Sequence, residues 1–299
     1  MESWRQEPRV FWLFVLPGGL WLLAFFLAPL ALIWLFSFGE KAGPVDIVVT
    51  WTLDNYRAAF DPIYLGLFWR SLWIAALATA VCLVVGFPVA FAISFAPPRL
   101  KPILLLLVIL PFWTNLLIRT YAMIAVLREL GIVNYWLEWL WDGDANLLAL
   151  VGLGGLLGPF QPLQLLYNNA AVVVGVVYVY LPFMVLPLYA TLERLDRAYL
   201  EASLDLGAGQ LRTLFSVVVP LARPGIVSGI ILVFIPALGT FIISDLLGGP
   251  DSLLIGNVIE RQFKAANNWP LGAAMSFILM YLTFAALALR SFLSREREV

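Results

Sequence analysis

The chain has 299 residues, of which 62% are hydrophobic and only 12% are charged, against roughly 25% charged in an average soluble domain. With no His and a single Cys, the sequence excludes a His-ligated zinc site, a Ser-His-Asp triad and an internal disulfide, and we expect no metal, no cofactor and no enzyme active site. The formal net charge of −1 argues against nucleic acid as a partner.

Long stretches without a charged residue run along the chain, and a membrane-spanning helix needs about 20 mainly apolar residues. They predict an all-α membrane protein with a single domain, 1–299, and six transmembrane helices near residues 11–38, 68–96, 103–127, 169–190, 225–245 and 271–293. The first apolar run is far longer than the core of a secretory signal, about 7 to 15 residues, so we interpret it as an uncleaved span.

The third predicted span contains polar and aromatic residues that are candidates for a cation pathway. Trp113 and Tyr121 are eight positions apart and would lie near one face of a continuous helix, with Asn115 between them. Packing against neighbouring helices is the alternative for both aromatics. Arg119 lies near the outer end of this span, where we expect it to snorkel or to pair with an outer carboxylate rather than to contact a solute.

Glycines and prolines interrupt the uncharged sequence over residues 145–168, so this segment is not predicted to be a span. We expect it outside the cytoplasm, as a periplasmic, interfacial or re-entrant stretch. A seventh span here would place the two termini on opposite sides of the membrane.

Two further candidates for the pathway lie in the later spans. Tyr178 is in the fourth span, and Asp245 is the only carboxylate next to the apolar run of the fifth. Aromatic faces and carboxylates can replace the water that a cation loses in a membrane. The alternative for Asp245 is a role at the helix end, at the membrane interface.

The segment 191–224, between the fourth and fifth spans, is the longest predicted cytoplasmic loop. Tyr199, Ala202, Ser203 and Leu206 share one face of a short amphipathic helix. The glycines that follow permit a sharp reversal, and residues 211–219 form a second helical stretch that ends at Pro220. Such a bent pair of helices fits a cleft in a partner protein, or lies on the membrane as an ordinary loop helix.

The basic residues predict which side of the membrane holds the loop. Eleven lie on the side of both termini and six on the opposite side, so both termini and the loop 191–224 are expected in the cytoplasm. Eleven acidic residues accompany the six basic ones on the outer side. An acidic outer face would concentrate cations, although the depletion of bases outside explains the bias equally well.

The loop contains a motif with a characteristic spacing. Glu201-Ala202-Ser203 is followed by Gly207 three residues later, and then, after nine more residues, by Val217-x-Val219-Pro220. This pattern resembles the EAA motif of ABC importer permeases, with Ser203 in place of an alanine and valines in place of isoleucine and leucine. The resemblance implies a type I importer permease fold in which Glu201, Ala202, Ser203, Gly207 and Pro220 belong to a coupling helix that docks on the ATPase subunit.

Further segments are similar to the spermidine/putrescine group of these permeases. They are residues 111–121 (PFWTNLLIRTY), 177–187 (VYVYLPFMVLP), 234–250 (FIPALGTFIISDLLGGP), 255–259 (IGNVI) and 268–274 (NWPLGAA). This resemblance implies a multi-pass permease of a bacterial inner membrane, with a small cationic solute, a polyamine, as its cargo. It also implies ATP-binding cassette subunits, a second homologous permease subunit and a periplasmic solute-binding protein as partners.

The chain has no G-x-x-x-x-G-K-[ST] segment, so it lacks the loop that holds ATP phosphates and must rely on a separate ATPase. Two alternatives remain. One is a related permease for another small solute, such as an amino acid or an opine. The other is an ion-coupled secondary transporter, which would call for paired ionisable residues at mid-membrane and an internal repeat.

Overall fold

A computed structural model of the chain describes residues 8–43, 46–150, 160–196 and 198–295. The prediction of an all-α membrane protein is confirmed, with a two-stranded hairpin as the one addition among the described residues. The helices are α1 (Pro8–Leu22), α2 (Ala28–Phe36), α3 (Asp54–Ala59), α4 (Pro62–Phe95), α5 (Lys101–Ile109), α6 (Leu116–Leu127), α7 (Ile132–Leu150), α8 (Asn169–Leu192), α9 (Ala198–Asp205), α10 (Gln210–Thr213), α11 (Val219–Leu221), α12 (Arg223–Leu238), α13 (Ile242–Leu247), α14 (Ile255–Lys264) and α15 (Trp269–Arg295).

In the part of the chain that the structure describes, four uninterrupted helical segments are long and apolar enough to cross a membrane. They are Phe11–Phe36, Pro62–Phe95, Asn169–Leu192 and Trp269–Ala288. Two bent helix pairs pass the same test, Lys101–Trp113 with Leu116–Asp142 and Gln210–Leu221 with Arg223–Leu238. The count reaches the six spans expected from the sequence when each bent pair is taken as one span.

The chain divides into two compact units, and the first comprises residues 1–66 and 258–299. In it, α1 continues through a π-helical turn, Leu23–Leu27, into α2, and the hairpin pairs β1 (Gly39–Lys41) antiparallel with β2 (Ile47–Val49). The Trp34 indole donates to the Tyr281 hydroxyl at 2.8 Å, which fastens α2 to α15. The first span itself is unburied along its most apolar window.

The second unit, residues 67–257, is built around α4, α8 and α12. Its core contains buried side chains from all three helices, among them Cys82, Met184 and Val233. Gly225 and Gly229 lie four positions apart on α12, and a Cβ at either would come within 2.5 Å of a side chain of α8. Small residues at this spacing let two membrane helices approach closely, so the glycines set the α8–α12 contact.

The third predicted span, 103–127, is not one helix. α5 passes into a 3₁₀ turn, Leu110–Trp113, and after a break α6 begins at Leu116, with a bend of 96°. Pro111 lacks a backbone N–H, and Asn115 starts a new helix because its Oδ1 accepts from Leu117 N at 2.8 Å. The expectation that Trp113 and Tyr121 share one helical face is therefore wrong, since they lie on opposite sides of the break.

The fifth predicted span, 225–245, is shorter than expected. α12 ends at Leu238, and Asp245 lies in the separate short helix α13. Before α12, residues 210–221 are helical, with a π-helical turn at Leu214–Val218, and the chain bends by 69° at Ala222. This helical run ends one residue after Pro220, close to the end predicted from the sequence.

The segment 145–168 is described only in part. Residues 145–150 continue α7, residues 151–159 lie outside the described residues, and residues 160–168 precede α8 without a helix. Asn134 of α7 binds this last stretch, since its Oδ1 accepts from Leu163 N at 2.9 Å and its Nδ2 donates to Leu163 O at 3.0 Å. The periplasmic, interfacial or re-entrant placement of the segment stays a prediction.

Candidate functional site

The loop between α8 and α12 folds into two short helices joined by a tight bend. At the end of α9, Gly207 N donates to Leu204 O (2.9 Å) and Ala208 N to Ser203 O (3.1 Å). Gly207 has φ +82°, the left-handed conformation that ends many helices and that residues with a Cβ rarely adopt. The extended Gly209 then begins α10. The reversal predicted from the two glycines is therefore present.

A hydrogen bond holds the two sides of the bend together. Ser203 Oγ of α9 and Thr213 Oγ1 of α10 are 2.9 Å apart, and Thr213 is buried. Ser203 stands where the EAA pattern has alanine, which could not form this contact. The serine thus adds a polar link across the bend at the motif position that departs from the pattern.

Removing this link is expected to loosen the bend without unfolding the protein. Ser203→Ala and Thr213→Val should each lower the midpoint of thermal unfolding of the purified chain slightly, because a buried hydrogen bond contributes about 0.5–1.5 kcal/mol. The double variant should lose less than the sum of the two single losses. Losses that simply add would show that the two hydroxyls do not stabilise each other.

The motif residues at the bend face outward. Glu201, Ala202 and Gly207 are exposed, whereas Ser203 and Pro220 are partly buried. Leu206 and Leu211 expose 88% and 73% of their surface, and Tyr199 and Phe215 are also exposed. The helix face predicted from Tyr199 to Leu206 is therefore the outer one, while Leu200 packs towards the core. We call residues 198–221 the knob, and exposed apolar side chains grouped in this way are typical of an interaction surface.

The knob is attached to the spans at both ends. Lys101 Nζ lies 2.6 and 2.7 Å from the two carboxylate oxygens of Glu193, which connects the first residue of α5 to the C-terminal cap of α8. At the other end, Val218 and Ala222 are buried in the core of the second unit. An apolar cavity of about 370 Å³, lined by Phe91, Leu204 and Leu214 among others, lies beside the bend.

A second group of residues lies where the two interrupted spans meet. Tyr180 of α8 interacts electrostatically with Arg119, just after the α5–α6 break, and its hydroxyl hydrogen-bonds the side chain of Thr240, in the break between α12 and α13. The same hydroxyl is 3.5 Å from Pro236 O, near the end of α12. We call Phe112, Arg119, Tyr180, Phe183 and Thr240 the junction cluster.

Aromatic rings form one side of the junction cluster. The rings of Phe112 and Phe183 meet edge to face with centroids 4.8 Å apart, and Tyr180 lies 6.0 Å from Phe183. The Arg119 guanidinium carbon is 5.4 Å from the Phe112 centroid, within the range of a cation–π contact. The cluster therefore already holds one cation against an aromatic face.

Arg119 does not behave as the sequence suggested. Only 8% of its surface is exposed, and its Nε and Nη1 find no hydrogen-bond acceptor in the part of the chain that the structure describes. The expected snorkelling is wrong, because the α5–α6 break turns this first turn of α6 towards α8 and α13 instead of continuing a straight span. Pairing with an outer carboxylate through Nη2 stays a prediction.

Buried polar groups hold the second break in place. Asn257 Oδ1 accepts from Leu254 N (3.0 Å) and from Ser244 Oγ, and its Nδ2 donates to Phe241 O (3.0 Å). Ser71 Oγ accepts from Ile255 N at 2.8 Å. Irregular backbone at membrane depth is tolerated only where it is buried in protein or lines a cavity, and this network supplies the burial.

The residues predicted for a pathway lie on different elements of the chain. Trp113 is 76% exposed, Asn115 caps α6, and Tyr121, Tyr178 and Asp245 are exposed on three different helices. Sequence reasoning did not assign Phe112 a role. The sequence does contain a signal for the two breaks, which is a proline shortly before each. Pro111 lies in the turn that ends at Trp113, and Pro236 lies two residues before the end of α12 at Leu238.

Comparisons with known proteins identify the family. Residues 82–298 match the model of the binding-protein-dependent transport system inner membrane component. The spermidine/putrescine transport system permease protein PotB of Haemophilus influenzae is 40% identical over 283 residues, 93% of each chain, and PotB of Escherichia coli K12 is 41% identical over 259 residues, 87% of this chain and 88% of its own.

A solved structure has the same fold. It is the bacterial alginate ABC transporter in complex with an alginate pentasaccharide-bound periplasmic protein, with a TM-score of 0.68, 16% identity, and coverage of 99% of this chain and 98% of its own. Together with the family match and the identities above 30%, this likeness shows a transporter permease, not an enzyme. The chain therefore belongs to the family of binding-protein-dependent transport system inner membrane components, the multi-pass permeases of ABC importers.

Proposed function

We propose that this chain is one permease subunit of an ATP-driven importer that moves a polyamine, spermidine or putrescine, across the inner membrane. The observation that carries the proposal is the exposed bend at Gly207, which presents an EAA-type motif, in a chain 40% identical over 93% of its length to a permease named for these solutes. The second permease subunit, homologous to this one, completes the pathway.

The bend is the ATPase contact in this proposal. Glu201, Ala202 and Gly207 are exposed on it, and Leu206 and Leu211 add apolar surface. Ser203 and Pro220 hold its shape from within. Because the chain has no ATP-binding loop, closure of separate ATPase subunits on ATP moves the knob, and the ion pair Lys101–Glu193 and the buried Val218 carry that movement into the spans.

Orientation follows from the same assignment. The ATPase acts in the cytoplasm, so the bend and both termini lie there, in agreement with the excess of basic residues on that side. A periplasmic solute-binding protein delivers the solute to the opposite face, as the periplasmic protein bound to the alginate transporter indicates by analogy.

The solute is proposed to pass beside the junction cluster and the exposed residues that the sequence predicts for the pathway. Trp113, Tyr121 and Tyr178 offer aromatic faces, each worth about 0.5–2 kcal/mol to an ammonium group, and Asn115 and Asp245 offer oxygen atoms. A second candidate, an amino acid or opine, is favoured by one observation: the unsatisfied Nε and Nη1 of Arg119 suit a carboxylate.

Reconstitution of the whole transporter tests the proposal. The chain, its permease partner, the ATPase subunits and the receptor are placed in liposomes, and accumulation of labelled putrescine, an amino acid or an opine is measured with and without ATP. We expect putrescine to accumulate only with ATP and the ATPase. Accumulation that persists without both, as in ion-coupled transport, would contradict the proposal, and ATP-driven uptake of the amino acid or opine alone would select the second solute class.

A further inference from the structure

We propose that Arg119, held against Phe112, is a fixed positive charge that keeps protons and inorganic cations out of the closed pathway. The inference rests on the proposed function, since it assumes that the junction cluster borders the route of the solute. It assigns Arg119 a role in specificity that differs from both solute binding and structural ion pairing.

The position of Arg119 favours a barrier. The residue lies in the first turn of α6, where the unpaired N–H groups of the helix already create a positive potential. Its Nε and Nη1 have no acceptor among the described residues, so no hydrogen bond there disperses the charge at these atoms. A buried charge is also poorly screened by water and salt. The cluster therefore repels a second cation strongly, in the way that an arginine excludes cations from some water-filled pores.

The surroundings of Arg119 place this charge at a structural junction. Tyr180 hydrogen-bonds Thr240 and interacts electrostatically with Arg119, so one side chain links the breaks of the two interrupted spans. Interrupted helices border the solute sites of many transporters. A charge at this point opposes any small cation that would pass while the two breaks remain together.

Phe112 explains how the barrier can be lifted for a polyamine. It lies in the 3₁₀ turn before the α5–α6 break, whereas Arg119 lies after it, so a change in the 96° bend separates them. The ring of Phe112 is 40% exposed, and without Arg119 its face is free for an ammonium group. The same ring thus holds the barrier in one state and offers a cation–π contact in the other.

The test measures leakage from liposomes that contain the complete transporter without ATP or receptor, using a pH-sensitive dye for protons and a potassium gradient. Arg119→Met keeps the length of the side chain and removes the charge, and it should raise the leak by at least about tenfold. Arg119→Lys should stay close to the unmodified protein. The control is Arg128→Met, at the exposed C-terminal cap of the same helix, which should not leak.

Phe112→Leu provides a second variant in case Arg119→Met does not assemble. It removes the cation–π contact but keeps the charge, and an intermediate leak is expected. Arg119→Met vesicles as tight as the unmodified ones, or tight Phe112→Leu vesicles if the first variant fails, would overturn the barrier. Tight Arg119→Met vesicles that lose uptake of a carboxylate-bearing solute would assign Arg119 to solute binding instead.

The two proposals fail separately. The leak assay needs neither ATP nor a known solute, whereas putrescine uptake by the unmodified transporter tests the proposed function in the same vesicles. A leak without putrescine uptake would retain the barrier and reject the polyamine.

Discussion

Gly207→Arg is expected to reduce ATP-dependent uptake by at least about tenfold, because losing about 1.4 kcal/mol at an interface changes its affinity by that factor. The glycine has φ +82°, and a Cβ built there would meet nothing within 4 Å. An arginine there strains the backbone and also projects a long charged side chain from the surface proposed to dock on the ATPase. The measurements are uptake and co-purification of the ATPase with the permease.

Two matched variants separate strain from bulk. Gly207→Ala introduces the same backbone strain with one methyl group, and Gly209→Arg places the same bulk two residues away at an ordinary φ of −70°. If the bend docks on the ATPase, Gly209→Arg should weaken co-purification and Gly207→Ala should weaken it less than Gly207→Arg. Normal uptake and normal co-purification with Gly207→Arg would reject the docking surface.

Gly225→Val is expected to prevent correct packing of α12 on α8. A Cβ at this position would lie 2.5 Å from Thr191 Oγ1 and 2.8 Å from Pro187 O, and the backbone oxygen cannot move aside as a flexible side chain can. Overpacking of this kind costs about 1–3 kcal/mol or more. We expect a thermal unfolding midpoint several degrees lower, or loss of the folded protein from the membrane.

The control for this prediction is Gly66→Val on α4, where a Cβ meets nothing within 4 Å. The two variants make the same chemical change in a helix, so propensity effects cancel. Equal midpoints for both would contradict the close α8–α12 contact. A lower midpoint for Gly66→Val alone would contradict the assignment of the close contact to Gly225.

The sequence predicted where the apolar helices lie because each is a long apolar run, and hydropathy is read over a window of that length. The structure has four to six candidate spans where six were expected. It could not predict that the third span divides at residues 114–115. The break depends on the 3₁₀ turn after Pro111 and on the cap made by Asn115, and each of these features also occurs within or beside unbroken helices. In the structure, α6 packs against α8 and α13, contacts between residues far apart in the sequence that accompany the bent form.

The bend at Gly207 could be predicted from the sequence, whereas the junction cluster could not. The bend at Gly207 is local, since its residues lie within a few positions of each other and the glycine imposes the conformation. The interactions of Tyr180 with Arg119 and Thr240 join residues at least 60 positions apart, and no local pattern indicates them. Arg119 was assigned to an outer pair because its depth was calculated along a straight helix.

The ion pair between Lys101 and Glu193 is unusual for the two helices that carry it. Lys101 stands at the start of α5, where exposed N–H groups are positive, and Glu193 stands at the end of α8, where exposed carbonyls are negative. Each residue is unfavourable for its own helix and is compensated only by the other. Neutralising one residue leaves the other beside a helix end whose partial charge has the same sign as its own. We therefore expect the two positions to change together among relatives. Exchanging the two charges is the most easily tolerated substitution, because each new charge suits its helix end.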